Sequence, residues 1–220
     1  MIQPHTFSFL KDLAENNNRE WFLENKERYE LARENVIDFT TELIKQIHLV
    51  DLNIDKELEA KKCIMRIYRD IRFSKDKTPY KTNFGVSIPT MGKKAGRAEY
   101  FLHIAPGNSF IAGGYWMPPA DHLKAIRQEI DYNGNTLKNI ISQKEFVELF
   151  GDFTKQEQLK NNPKEYDADN ENISLLKLKS FVAFHQLNDD ELYKANAAIS
   201  IAGICRKIYP LNVFINNALA

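Results

Sequence analysis

The chain has 220 residues, 30 basic and 30 acidic side chains, a formal net charge of zero, 43% apolar residues and two cysteines. This is the composition of a globular protein, and it excludes disordered, collagen-like and disulfide-framed classes; a chain of this length buries roughly 70% of its unfolded surface without staples. No apolar run approaches the ~20 residues of a membrane span, and the first residues lack the basic-then-apolar pattern of a signal peptide, so a cytoplasmic location is expected.

The predicted elements follow in chain order. Residues 6–17 read as a short helix that Thr6 can cap, with Phe9, Leu10 and Leu13 on its inner side. Asn18 can cap a long second helix whose apolar stripe is Ala32, Val36, Phe39, Leu43 and Ile47. Trp21 and Phe22 read as core anchors beneath its entry. From Cys63 to Phe73 the period changes to two, with Cys63, Met65, Ile67, Ile71 and Phe73 alternating with Arg66, Tyr68, Asp70 and Arg72, which predicts a strand. Arg69 falls on its apolar side, so either a bulge shifts the register or the guanidinium is internal and paired.

A second strand is predicted over Asn83–Pro89, then a glycine- and lysine-rich loop at 91–97. Tyr100–Ala105 and Ser109–Gly113 read as strands joined by the turn Pro106-Gly107-Asn108. Pro118-Pro119 opens a helix with Leu123, Ile126 and Ile130 inside, and another is expected from Thr136 to about Phe150. Residues 151–172 are polar and acidic and read as an excursion with little regular structure. Ser180–Gln186 reads as a strand. A helix starts at Asp189-Asp190-Glu191 and continues through Leu192, Ala195, Ile199 and Ala202, and a short one covers Ile208–Leu219. There are no repeats or linkers. The expectation is a single α+β domain over residues 1–220, with N-terminal helices, a mainly antiparallel sheet and C-terminal helices.

Charge is distributed unevenly. Residues 61–97 hold eleven Lys or Arg against two acids, Asp70 and Asp76, which leaves the rest of the chain net acidic. The histidines at 5, 48, 103, 122 and 185 have no metal-ligand spacing and no neighbouring cysteine, so no metal is expected. Cys63 and Cys205, far apart and without CxxC spacing, read as small buried hydrophobes. No GxSxG elbow is present, and the glycine–lysine stretch at 85–94 departs from the phosphate-loop pattern in spacing and lacks its hydroxyl residue.

The chemistry-bearing feature that remains is Arg66, Arg69, Arg72, Lys75, Lys77 and Lys81, with Tyr80 beside them and Tyr115 from a later strand. Guanidinium forks and ammonium charges suit phosphate or carboxylate groups. An anionic small molecule in a basic cleft is therefore expected, as ligand or as substrate of an unassigned reaction. In the second case Asp70 or Asp76, kept ionised by flanking cations, is the general-base candidate. The same arginines could instead form an internal clamp, and the stretch could be a hairpin docking an acidic protein surface. Nucleic-acid binding is disfavoured by neutral overall charge and the lack of a recognition motif. No cofactor or oligomeric state is indicated. Gly113-Gly114-Tyr115-Trp116, with Arg127 one helix later, reads either as a strand end bending into a helix or as a backbone surface beside a pocket.

The run from Arg66 through Arg69-Asp70, Arg72-Phe73-Ser74-Lys75-Asp76-Lys77-Thr78-Pro79-Tyr80-Lys81-Thr82 resembles the hallmark of a bacterial and fungal family of conserved hypothetical proteins, domain of unknown function 2461. Gly113-Gly114-Tyr115 with Pro118, Leu123 and Ile126-Arg127 is similar to its second motif. The resemblance covers nearly the whole chain and implies one compact α+β domain, without a catalytic role to transfer. One departure is Pro163-Lys164-Glu165-Tyr166, where the family has a Pro-Lys-Gly-aromatic turn. If that glycine serves a positive φ, Glu165 is strained or the turn differs.

Overall fold

Alternating burial along three of the segments expected as strands builds the sheet. Phe84–Pro89 (β1), Glu99–Ile104 (β2), Ser109–Tyr115 (β3) and Phe181–Leu187 (β4) pair antiparallel in the order β1-β2-β3-β4. The computed structural model describes residues 1–90, 96–153 and 156–220, so positions 91–95 of the loop expected at 91–97 lie outside the described residues. Register is set by Phe84 opposite Ile104, Tyr100 opposite Gly113, and Gly113 opposite Ala183. The predicted turn joins β2 to β3: the Asn108 N–H donates to the Ala105 carbonyl (3.0 Å), and Gly107 has φ +70°.

One face of the sheet enters the core through Val86, Ile88, Tyr100, Leu102, Ile104, Ile111, Phe181 and Ala183, all buried. Helix Lys26–His48 (α3) lays its predicted stripe of Ala32, Val36, Phe39, Leu43 and Ile47 into that core, between Pro4–Glu15 (α1) and Ala197–Asn217 (α9). The α9 helix packs directly on β3. The contact depends on Gly113, where a Cβ would sit 2.4 Å from Ile208 Cγ2. Gly114 has φ +130°, and its missing Cβ lets the Phe181 carbonyl of β4 approach. Both glycines thus serve backbone approach at the strand end that bends into the next helix.

Several boundaries differ from expectation. The first helix begins at Pro4, a favoured first helical position; Thr6 is buried inside it and donates to Asn35 Oδ1 (2.8 Å). Asn18 caps as expected, its side chain accepting from the Trp21 N–H (3.0 Å), but the helix it starts, Arg19–Glu24 (α2), stops at Asn25 before α3 begins. The predicted strand at 63–73 is absent. Cys63 ends a helical turn, Ala60–Cys63 (α4), and beyond it only isolated bridges form, Ile64 with Val86 and Tyr68 with Tyr80. Pro79 opposite Arg69 has no N–H for a ladder. Asp70 and Asp76 instead capture the N–H groups two residues on, those of Arg72 and Thr78, which favours turns over a strand.

Pro119 precedes Ala120–Ile141 (α5), which absorbs the start of the helix expected at 136; its remainder is a separate helix, Lys144–Phe150 (α6). The excursion at 151–172 has little regular structure where described, and Ile173–Leu176 (α7) leads into β4. At the C-terminal end a four-residue helix, Asp189–Leu192 (α8), closed by an Asn188–Glu191 capping box, is separate from α9, and α9 runs without interruption through Pro210 where two helices were expected. One helix among the described residues, α9, is long and apolar enough to cross a membrane by composition, and half of the window that passes is buried inside the protein. The arrangement is α+β, with helices at both ends and an antiparallel sheet between them.

Candidate functional site

The basic stretch forms a hairpin-like loop. Its arms are tied by Arg69 N–H to the Pro79 carbonyl (2.9 Å) and Lys81 N–H to the Ile67 carbonyl (2.7 Å). Tyr80 is buried at its base, stacked on Phe22 with ring centroids 4.0 Å apart, and its backbone pairs with the Asn17 side chain. Asn17 and Phe22 therefore hold the loop against the N-terminal helices, and Tyr80 belongs to this packing.

Within the loop two of the six cations, Arg69 and Arg72, are paired with its two acids. Arg69, part-buried, pairs with Asp76 and donates to the Thr78 hydroxyl and carbonyl, which answers the question of its inward position: it is an internal clamp. Arg72 forms a fork on Asp70 through Nε (2.9 Å) and Nη2 (2.6 Å). Lys77 Nζ donates to the Ile71 carbonyl (2.9 Å). Arg66 and Lys75 are exposed. Lys81 is part-buried, and burial followed by the nearby Arg66 charge lowers its pKa.

The two carboxylates are poor proton acceptors. The Thr78 N–H, then the Arg69 guanidinium and the Thr78 hydroxyl, hold Asp76 at about 2. Arg72 holds Asp70 below the ordinary carboxylate range. A base this weak has little driving force to remove a proton near neutral pH. Tyr115 is not part of this group. It sits at the far end of the strands, where β3 meets Glu99 and Phe181, and its hydroxyl lies 2.8 Å from His122 Nδ1. The side chains expected to share one cleft therefore do not all come together.

A large concavity lies elsewhere, on the sheet face opposite α3 and α9. Phe101 and His103 of β2, Phe110 and Ala112 of β3, and Val182 and Phe184 of β4 point to this side, because strand side chains alternate. The rings form a continuous floor: His103 stacks on Phe110 at 4.7 Å, and Phe110 meets Phe184 at 4.5 Å and Phe101 at 6.0 Å. Met65, from the basic loop's first arm, leans over Gly85 and Phe101 as one wall; Trp116 and Gln156 supply others, and the space they enclose is about 620 Å³. Among the described lining residues the one charged group is Glu99, whose Oε2 accepts from the Ser87 hydroxyl (2.5 Å). Gln156 Oε1 accepts from the Val182 N–H (3.2 Å). Burial pushes His103 below its ordinary value, so it contributes a neutral ring.

Sequence reasoning placed β2 and β3 but missed this face. The available signal was weak: the side of β2 opposite Tyr100, Leu102 and Ile104 holds Glu99, Phe101 and His103, with one apolar ring between two polar residues.

Among the described residues no group of three or more His, Cys, Asp or Glu side chains is placed to hold a metal ion. Both cysteines are buried thiols, with burial pushing Cys63 up to about 11 and Cys205 higher still.

Fold and site together define an α+β protein whose meander sheet is covered by helices on one side and open, with an aromatic floor, on the other. The family described as conserved hypothetical protein (DUF2461) matches residues 5–214, and the chain belongs to that family. Comparison with curated proteins and with solved structures finds no match.

Proposed function

We propose that the protein binds a planar, largely apolar small molecule on the open aromatic face of its sheet. The observation that carries this reading is the 620 Å³ concavity floored by Phe101, Phe110 and Phe184. Its volume lies in the range of small-molecule sites, and such sites are mostly apolar with a few polar groups that fix orientation. Ring floors favour offset stacking of a flat ligand. Each 100 Å² of apolar ligand surface removed from water contributes about 2.5 kcal/mol before association costs. Glu99 at the edge of the floor selects a ligand with a hydrogen-bond donor or a cationic end. Ala112, with its single methyl, leaves the β3 part of the floor low.

Trp116, 70% exposed at the rim, supplies the readout. In a Trp21→Phe background, Nile red (neutral) and proflavine (cationic) are expected to change Trp116 emission saturably. Ala112→Phe, which fills the floor without adding a second indole, should abolish both responses. Glu99→Gln should weaken proflavine more than Nile red. Undiminished binding to the filled variant would refute the proposal.

A second reading, docking of the basic loop onto an acidic protein surface, is favoured by Phe73. This residue is 94% exposed at the loop tip and lies 5.8 Å from the Arg72 guanidinium. A highly exposed ring among cations is a feature of anchored, charge-steered contacts. It predicts that Phe73→Ser weakens binding to a poly-glutamate peptide carrying aromatic residues at unchanged net charge. If only ionic strength matters, with no difference between Phe73 and Ser, this reading is wrong.

A further inference from the structure

Away from the aromatic face, a smaller concavity of about 190 Å³ lies between the first turns of α5 and the turn Pro163–Tyr166, with Lys124, Arg127, Lys164, Glu165 and Tyr166 in its lining. The turn is closed by the Tyr166 N–H on the Pro163 carbonyl (3.0 Å). Glu165 is not strained there, because Met117 is the one non-glycine residue with positive φ among the described residues. The departure from the family's glycine is therefore accommodated by a turn that needs no left-handed residue.

The informative side chain is Arg127. It is part-buried, and its Nε and Nη2 donate to two neutral groups, the Leu176 carbonyl (2.7 Å) and the Leu178 carbonyl (3.4 Å). No carboxylate pairs with it among the described residues, and the Tyr166 phenol in the same lining, its pKa raised by burial, is neutral near pH 7. A desolvated cation is costly unless matched by an anion. A guanidinium has five N–H donors, so two carbonyls leave donors over. Lys124 pairs with Glu165 at 3.1 Å, and Lys164 has no ion pair among the described residues. Three cations against one acid leave the concavity with a surplus of two positive charges.

We propose that this concavity binds the phosphate group of a small molecule, with Arg127 as the fixed donor and Lys124 and Lys164 as mobile charges. A phosphate dianion matches the surplus charge, and the guanidinium fork matches its oxygens. The site is separate from the aromatic face and does not depend on it.

The test uses the full chain and inorganic phosphate, titrated calorimetrically at constant ionic strength with chloride as the balancing anion. The expected result is saturable binding in the millimolar range or tighter. In Lys124→Glu/Lys164→Glu, both exposed positions, affinity should fall at least tenfold. Arg127→Lys, which keeps the charge but loses the fork, should also weaken binding, with a melting curve reporting whether it remains folded. Phosphate heat no larger than that of chloride, or equal affinity in the double variant, overturns the proposal. Nile red binding in the same samples reports the other site, so a failure there leaves this result interpretable.

Discussion

Replacing Gly113 by alanine tests the contact that places α9 under the sheet. The new Cβ would meet Ile208 Cγ2 at 2.4 Å and Tyr100 Cδ1 at 3.3 Å. Ile208 and Tyr100 are both fully buried, so neither can swing away. Forcing one methyl into a well-packed core typically costs about 1–3 kcal/mol. Alanine recovers about 0.4–1 kcal/mol by narrowing the unfolded ensemble, so the net loss should be about 1–2 kcal/mol. For a chain of this size each kcal/mol lowers Tm by about 2–4 °C. Urea unfolding followed by circular dichroism measures the loss directly. The steric origin is isolated by Ile208→Leu, which removes the β-branched methyl that the new Cβ strikes. The double variant should recover part of the loss, with a coupling of at least ~0.5 kcal/mol, the size expected between contacting residues. Unchanged stability in Gly113→Ala, or strictly additive effects with Ile208→Leu, would refute the claim that α9 seats on a bare backbone.

Gly114→Ala should be more damaging than Gly113→Ala and should not be rescued by any side-chain change, because its Cβ would lie 1.9 Å from the Phe181 carbonyl and φ there is +130°; loss of amide protection along β3 and β4 in hydrogen exchange checks this. Asp76 is held at about 2, below the unfolded carboxylate value of about 3.9. Its contribution is therefore complete above pH ~4 and lost as pH falls through about 2. The acid limb of a stability–pH curve should be flatter in Asp76→Asn than in the wild type, and identical limbs would contradict the Arg69–Asp76–Thr78 clamp. Both thiols should be silent to a disulfide reagent at pH 8 in the native protein and react once urea unfolds it, because the thiolate is the nucleophile and burial disfavours it.

Periodicity made most of this architecture legible. The α3 stripe, the β2–β3 hairpin and its Pro-Gly-Asn turn, and β4 follow from local patterns that burial then reinforces. Alternation failed at 63–73 because it records only side-chain type. Whether a strand forms there depends on backbone donors opposite, and Pro79 with the Asp70 and Asp76 side chains removes them. The helix ends at Asn25 and Ser142 were hidden because each lies between residues that keep helical spacing across the break. That the rings of the aromatic face form one continuous floor required the register of all three strands. Phe101, Phe110 and Phe184 are distant in sequence and become neighbours only when β2, β3 and β4 pair.

Charge was the most visible feature of the sequence and the least direct guide to a site. Arg69 and Arg127 show why. Each is a part-buried guanidinium reaching backbone carbonyls. Arg69 has a carboxylate seven residues away on the opposite arm of the same loop, so its own charge is settled locally. Arg127 stands on α5 outside the dense basic stretch, yet folding brings it to carbonyls of the 176–178 segment and to Lys164, with no ion-paired acid among the described residues. What recruits a ligand is a desolvated charge left without a partner after folding, and partner assignment is a property of tertiary contacts. Local density counts cations before that assignment is made, which is why the basic residues at 61–97 could not be sorted from the sequence into those paired within the loop, Arg69 and Arg72, and the rest.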